Sequence, residues 1–148
     1  MSNGSITIQV ELRTSAPRPA GIVRLLNQGD TEIRVWQTGN SWGDGVLSFE
    51  VLQDTQGWHY VLVPQVYTRN VPSSLAVPAG GSHGFPFDLG DGSWQGDAPA
   101  GFVITPAAQL LTVYDVPESP EAVTQNVWTG HLQSEPVELN EVTPNPAG

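Results

Sequence analysis

The chain contains no cysteine and no lysine. Without thiols there is no disulfide, no thiol nucleophile and no thiolate metal ligand, which removes three chemistries and fits a reducing compartment. Cations are scarce as well: five arginines (Arg13, Arg18, Arg24, Arg34 and Arg69) stand against 15 acidic residues in 148, for a formal net charge of -10. So acidic a surface repels phosphate backbones and anionic headgroups, so neither nucleic acid nor a membrane is expected as a partner. A basic partner or a cation is attracted instead. No run approaches the roughly 20 apolar residues of a membrane span. Residues Met1 to Ser5 show neither the basic nor the apolar region of a signal peptide, which predicts a cytoplasmic protein. A long amphipathic helix and a fixed-period repeat are also missing.

What is there is a succession of short β-type patterns. Ile6, Ile8, Val10 and Leu12 alternate with Thr7, Gln9 and Glu11, so four apolar groups share one strand face. Ile22 to Leu26 is an almost unbroken apolar run, the turn signal Asn27-Gln28-Gly29-Asp30 follows, and Ile33 to Trp36 resumes. Together they predict a hairpin. After a loop over residues 38–45, Leu47, Phe49 and Val51 alternate, and Trp58 to Val63 forms another β-rich run ended by Pro64. Ser73 to Val77 and Phe85 to Leu89 read as strands, as do Leu110 to Asp115 and the segment from His131. Tyr67 to Pro72 is extended, and residues 98–108 are broken by Pro99, Gly101 and Pro106. Ser119-Pro120-Glu121 is a helix-start signature, a cap followed by proline at the first helical position.

With 16 glycines and 13 prolines spread between the apolar runs, the pattern predicts an all-β protein, an immunoglobulin-like β-sandwich of eight or nine short antiparallel strands. An up-and-down barrel is the alternative, disfavoured by uneven strands and two long proline-rich connections. One domain over residues 1–139 is expected, with 140–148 as a disordered tail.

Several constellations invite a chemical reading. Gly80-Gly81-Ser82-His83-Gly84 matches the GxSxG signature of serine hydrolases letter for letter. That signature works only where a strand feeds a strained turn and then a helix. Here Pro78 precedes it and Phe85-Pro86-Phe87 follows with strand spacing, so a β-turn is expected and no enzyme. His59, His83 and His131 lack the close spacing of a zinc motif. Asp88, Asp91 and Asp97 in a glycine-rich stretch supply hard oxygen ligands of the kind Ca²⁺ takes, although Asp91-Gly92 is first of all a turn dipeptide. Trp42 and Trp94 each sit in a loop of Gly, Ser, Asn or Asp, the composition of a recognition surface; folding back to plug one end of the sandwich is the competing reading. An exposed pair would also suit sugar stacking.

The layout from Leu26-Asn27-Gln28-Gly29-Asp30 through Ile33-Arg34-Val35, a Phe49 strand and Val77-Pro78-Ala79-Gly80-Gly81-Ser82 resembles the Ig-like domain that precedes the catalytic domain in deuterolysin-type zinc peptidases. More faintly it resembles the intracellular subtilisin-inhibitor family. The resemblance covers about Ile22 to Leu89. It implies a sandwich with an accessory or inhibitory role and carries over no catalytic residue, since the peptidases' HExxH helix is missing. The expected function is a non-enzymatic binding module that contacts another protein through Trp42, Trp94, Tyr67 and Arg69. A peptidase inhibitor acting through Tyr67 to Pro72 and a Ca²⁺-responsive or carbohydrate-binding accessory domain are the alternatives.

Overall fold

A computed structural model describes residues 6–67 and 69–140; most of the expected tail therefore lies outside the described residues. The strands are β1 (Ile6–Thr14), β2 (Ala20–Asn27), β3 (Ile33–Trp36), β4 (Leu47–Gln53), β5 (Gln56–Leu62), β6 (Ser74–Val77), β7 (Ser82–Asp88), β8 (Trp94–Gly96), β9 (Gln109–Val116), β10 (Gly130–Gln133) and β11 (Val137–Glu138). Two short helices, α1 (Ser41–Asp44) and α2 (Pro120–Gln125), interrupt them. Eight or nine strands were expected and eleven are found among the described residues, because pieces such as β8 and β11, of three and two residues, are too brief to show alternation.

The strands form an all-β sandwich. One layer has the order β1-β2-β7; the other is six-stranded, in the order β10-β9-β4-β5-β8 with β11 also on β9; β3 and β6 make a separate pair. Among the described residues every pairing between these strands is antiparallel, and an isolated bridge between Arg34 and Val127 is parallel. Alternation sets the inner faces: Val23 and Leu25 of β2, Phe85 and Phe87 of β7, and Leu47, Phe49 and Val51 of β4 are buried in one core. Ring contacts join the layers, Phe87 lying 4.6 Å from Phe49 and Phe85 6.0 Å from Tyr114, centroid to centroid. At Gly21 the strands pass so closely that a Cβ would strike the Glu11 carbonyl of β1, and only glycine fits.

The predicted hairpin between Ile22–Leu26 and Ile33–Trp36 does not form. β2 pairs with β1 and β7, and β3 pairs with β6. The two ladders run on end to end, with residues 28–32 and 78–81 budding out as loops at the junction. Asn27 holds that break. Its buried amide donates to the carbonyls of Thr31 (2.8 Å), Val77 (3.0 Å) and Pro78 (3.2 Å), and its Oδ1 accepts from the Gly29 amide. The first residue of the expected turn signal, Asn27, is thus the anchor of a strand junction, because its side chain reaches the Val77 carbonyl 50 residues away. The 38–45 loop likewise contains a helical turn, capped by Asn40 accepting from the Gly43 amide. At α2 the expected cap is found: Ser119 accepts from the Ala122 amide, with Pro120 opening the helix.

Candidate functional site: an edge cleft at Trp94

Where β7 ends one layer and β8 ends the other, the sandwich is open. A cleft of about 500 Å³ occupies this side. Its floor comes from one row of the larger layer: Leu47 stands opposite Tyr114, and Leu62 opposite Trp94. The upper wall is β7, of which six consecutive residues, His83 to Asp88, line the space. Neighbouring strand side chains point to opposite faces, so a cavity touching all six runs along the strand's unpaired edge. Asp91, Ser93 and Trp94 close one end, and Thr38, Gly43 and Asp44 of the α1 region close another.

Trp94 is half-buried, its ring edge-on to Phe49 at 5.0 Å. His83 stands edge-on to Phe85 at 4.7 Å, and burial holds its pKa below the ordinary imidazole value, so it is neutral at neutral pH. Three carboxylates border the cleft. Asp88 accepts from the Gly90 amide and Asp91 from the Ser93 amide, both at 2.8 Å, while Asp44 accepts from the Gly39 amide (2.7 Å) and from the Tyr67 hydroxyl (2.6 Å). Among the described residues none of the three makes an ion pair.

The residues singled out from the sequence are only partly gathered here. Trp94, Asp88 and Asp91 border the cleft; Tyr67 touches it through Asp44. Trp42 turns away. Its ring lies 6.4 Å from Trp36 and its Nε1 donates to Glu121 of α2 at 3.3 Å. Both loop indoles are half-buried, and no tryptophan is fully exposed. Arg69 is exposed and makes no ion pair among the described residues. Asp97 is elsewhere, accepting from the His59 amide at 2.7 Å. The expected Asp88, Asp91 and Asp97 calcium set is therefore not assembled. Among the described residues no group of three or more His, Asp or Glu side chains is placed to hold a metal ion, the three histidines included. Ser82 and His83 are adjacent residues of a strand with no following helix, so their side chains diverge to opposite faces rather than forming a nucleophile and base.

Sequence reading missed Leu47, Leu62, Phe85 and His83 as cleft residues. Alternation marked Leu47 and Phe85 as strand-face residues, Leu62 fell in a β-rich run and His83 in an expected turn, and only the pairing of distant strands shows that they meet at an open edge.

No family model matches the chain, and no curated protein matches it. Among solved structures, the chain is similar to Spo0M, a sporulation control protein from Bacillus subtilis, with a TM-score of 0.38 and 12% identity over 97% of this chain. The chain spans about half of that protein's length, 51%.

Proposed function

We propose that this chain is a non-enzymatic, immunoglobulin-like binding module that contacts another protein through the cleft between β7 and β8. The half-buried indole of Trp94 carries the reading. It lies on Phe49 at the mouth of an apolar cavity, where a partner's side chain would cover it, and aromatic groups in concave sites dominate recognition energies. The three carboxylates around it supply polar orientation and long-range attraction for a basic surface. Sugar stacking has less support, since it needs a flat exposed ring and every tryptophan here is at least half-buried.

The test compares partners captured on immobilised wild type, Trp94→Ala and Trp42→Ala, each checked for folding by circular dichroism. A bound protein lost in Trp94→Ala and retained in Trp42→Ala is expected. Undiminished capture by folded Trp94→Ala removes the cleft from the account.

A second reading has its own observation. Val66 is wholly exposed in the β5–β6 connection, in which Tyr67 is held on Asp44, Asn70 on Ser41, and the Pro72 carbonyl accepts from Gln125. An exposed apolar residue on a tethered extended loop suits a peptidase inhibitor. Stoichiometric assays against purified proteases decide it, and no inhibition across the panel ends it.

A further inference from the structure

We infer that the cleft seats an extended, basic segment of a partner protein, which adds as a strand to the free edge of β7. The inference rests on the cleft being the binding site.

The edge follows from hydrogen-bond phase. The Asn27 amide donates to the Gly81 carbonyl at one end of the β2–β7 ladder, and the Leu89 amide donates to the Pro19 carbonyl at the other. Both bonds are in register with Leu25 opposite His83, Val23 opposite Phe85 and Gly21 opposite Phe87. In an antiparallel pair, bonded and non-bonded positions alternate. Ser82, Gly84, Pro86 and Asp88 therefore turn their backbone groups away from β2, into the cleft side. Pro86 confirms the phase, because a residue without an N–H belongs on the unpaired edge. An added strand finds donors at the Gly84 and Asp88 amides and acceptors at the Gly84 and Pro86 carbonyls. β8 presents Trp94 and Gly96 outward across the gap by the same reasoning, since Val63 donates to Ser93 and Asp97 to His59 on either side of it.

Side chains then dictate the guest. Strand addition reads alternate residues: those turned inward meet Leu47, Leu62 and Trp94, which suits medium-sized apolar groups. Those at the rim meet Asp44, Asp88 and Asp91. Neither of the nearest arginines makes an ion pair with them among the described residues. Arg24 is bound to Glu11 at 2.6 Å, and Arg18, whose stem lies against Gly90, makes no ion pair among the described residues. With no lysine and a net charge of -10, complementarity selects Arg or Lys at the alternate positions.

The probe is a synthetic peptide of about six residues alternating arginine with valine, titrated into the ¹⁵N-labelled full chain; its counterpart alternates glutamate with valine. The arginine peptide is expected to shift the Gly84 and Asp88 amides and the Trp94 indole N–H, and the glutamate peptide to leave them in place. Asp88→Asn with Asp91→Asn keeps the turn bonds, because an asparagine Oδ1 accepts in the same way. It should weaken the arginine peptide about 2–10-fold, the effect of losing one exposed and one half-buried charge at the surface. Equal shifts with both peptides, shifts confined to other strands, or none at millimolar peptide would overturn the inference. A partner captured through Trp94 that leaves the Gly84 and Asp88 amides unmoved would overturn strand addition while the binding module stands.

Discussion

On the β7–β8 side the gap between the layers holds about 500 Å³ and is walled by Phe85, Phe87 and Trp94; on the opposite side a groove of about 460 Å³ runs between β1 and the β10–β11 region. The second groove also follows a strand edge, since the consecutive residues Ile8, Gln9, Val10 and Glu11 line it, with Ser134, Glu135 and Val137 across from them. It has no aromatic wall. Its charge is compensated in part: the Glu11 carboxylate is bound by Arg24 at 2.6 Å and Arg13 at 2.8 Å, the Arg24 hydrogen bond above all holding its pKa below the usual carboxylate range against the opposing effect of burial, while Glu135 makes no ion pair among the described residues. In the first cleft, Asp44, Asp88 and Asp91 have, among the described residues, only amides and a phenol as partners. Two gaps of similar size and origin thus differ in what they leave unsatisfied. A sandwich must be open at its layer edges, so an opening alone signals nothing; aromatic surface and unpaired charge at that opening do.

The largest expected effect breaks the aromatic side at its base. Phe49 is fully buried and touches both Phe87 and Trp94, so Phe49→Ala should cost about 3–5 kcal/mol in urea unfolding, the range for deleting a core ring. The Trp94 indole signal should move while the β1 groove amides stay put. A loss under about 1 kcal/mol would mean that the cleft wall is not built on the core.

Asn27→Ala comes next. It leaves the Thr31 and Val77 carbonyls and the Gly29 amide without their side-chain partner, which should cost about 2–3 kcal/mol. Because Asn27 fixes where β6 hands over to β7, amide exchange should quicken at Gly80 and Gly81 before it does in β1. Uniform quickening would deny the junction this role.

On the opposite side the expected effect is smaller and has the other sign. Thr112 is buried in β9. Its amide accepts no compromise, donating to Ser134 Oγ at 2.9 Å while its carbonyl takes the Ser134 amide, but its hydroxyl has no hydrogen-bond partner among the described residues. Thr112→Val keeps the shape and removes that hydroxyl, so it should stabilise the fold by about 1 kcal/mol. A destabilised variant in thermal melts would show that the hydroxyl is satisfied in solution.

How far these features were legible in the sequence depends on whether their cause is local. Alternation at Ile6 to Leu12 and at Leu47 to Val51, and the Ser119-Pro120 cap, were readable because a strand face and a helix start are fixed by neighbours in sequence. The hairpin expected after Asn27 failed for the opposite reason, since its carbonyl partners come from residues 77 and 78. Of the candidate site, Trp94 was visible as an aromatic among turn residues. The cleft itself was not, because it exists only where the ends of β7 and β8, distant in pairing, leave adjacent edges uncovered. Trp42 had the same local composition as Trp94 yet found Trp36 and Glu121; composition could not separate them.

The smallest effect sharpens the electrostatic half of the comparison. The Tyr67 hydroxyl is pushed up to about 12, chiefly by its hydrogen bond to Asp44 and next by burial. A group whose folded pKa is raised contributes stability that is fully present below its unfolded value of 10.0 and lost as pH climbs through the folded one. The window is therefore pH 10 to 12. Tyr114, raised by burial, and Tyr60, raised by burial and then by Asp97, act in the same direction, so wild type should lose melting temperature steeply there. Tyr67→Phe lacks the titrating hydroxyl: it should melt slightly lower than wild type at pH 8, with the gap closing toward zero by pH 12. A gap that stays constant across that range would show that the phenol does not depend on Asp44, and that this carboxylate faces the cleft as freely as Asp88 and Asp91 do.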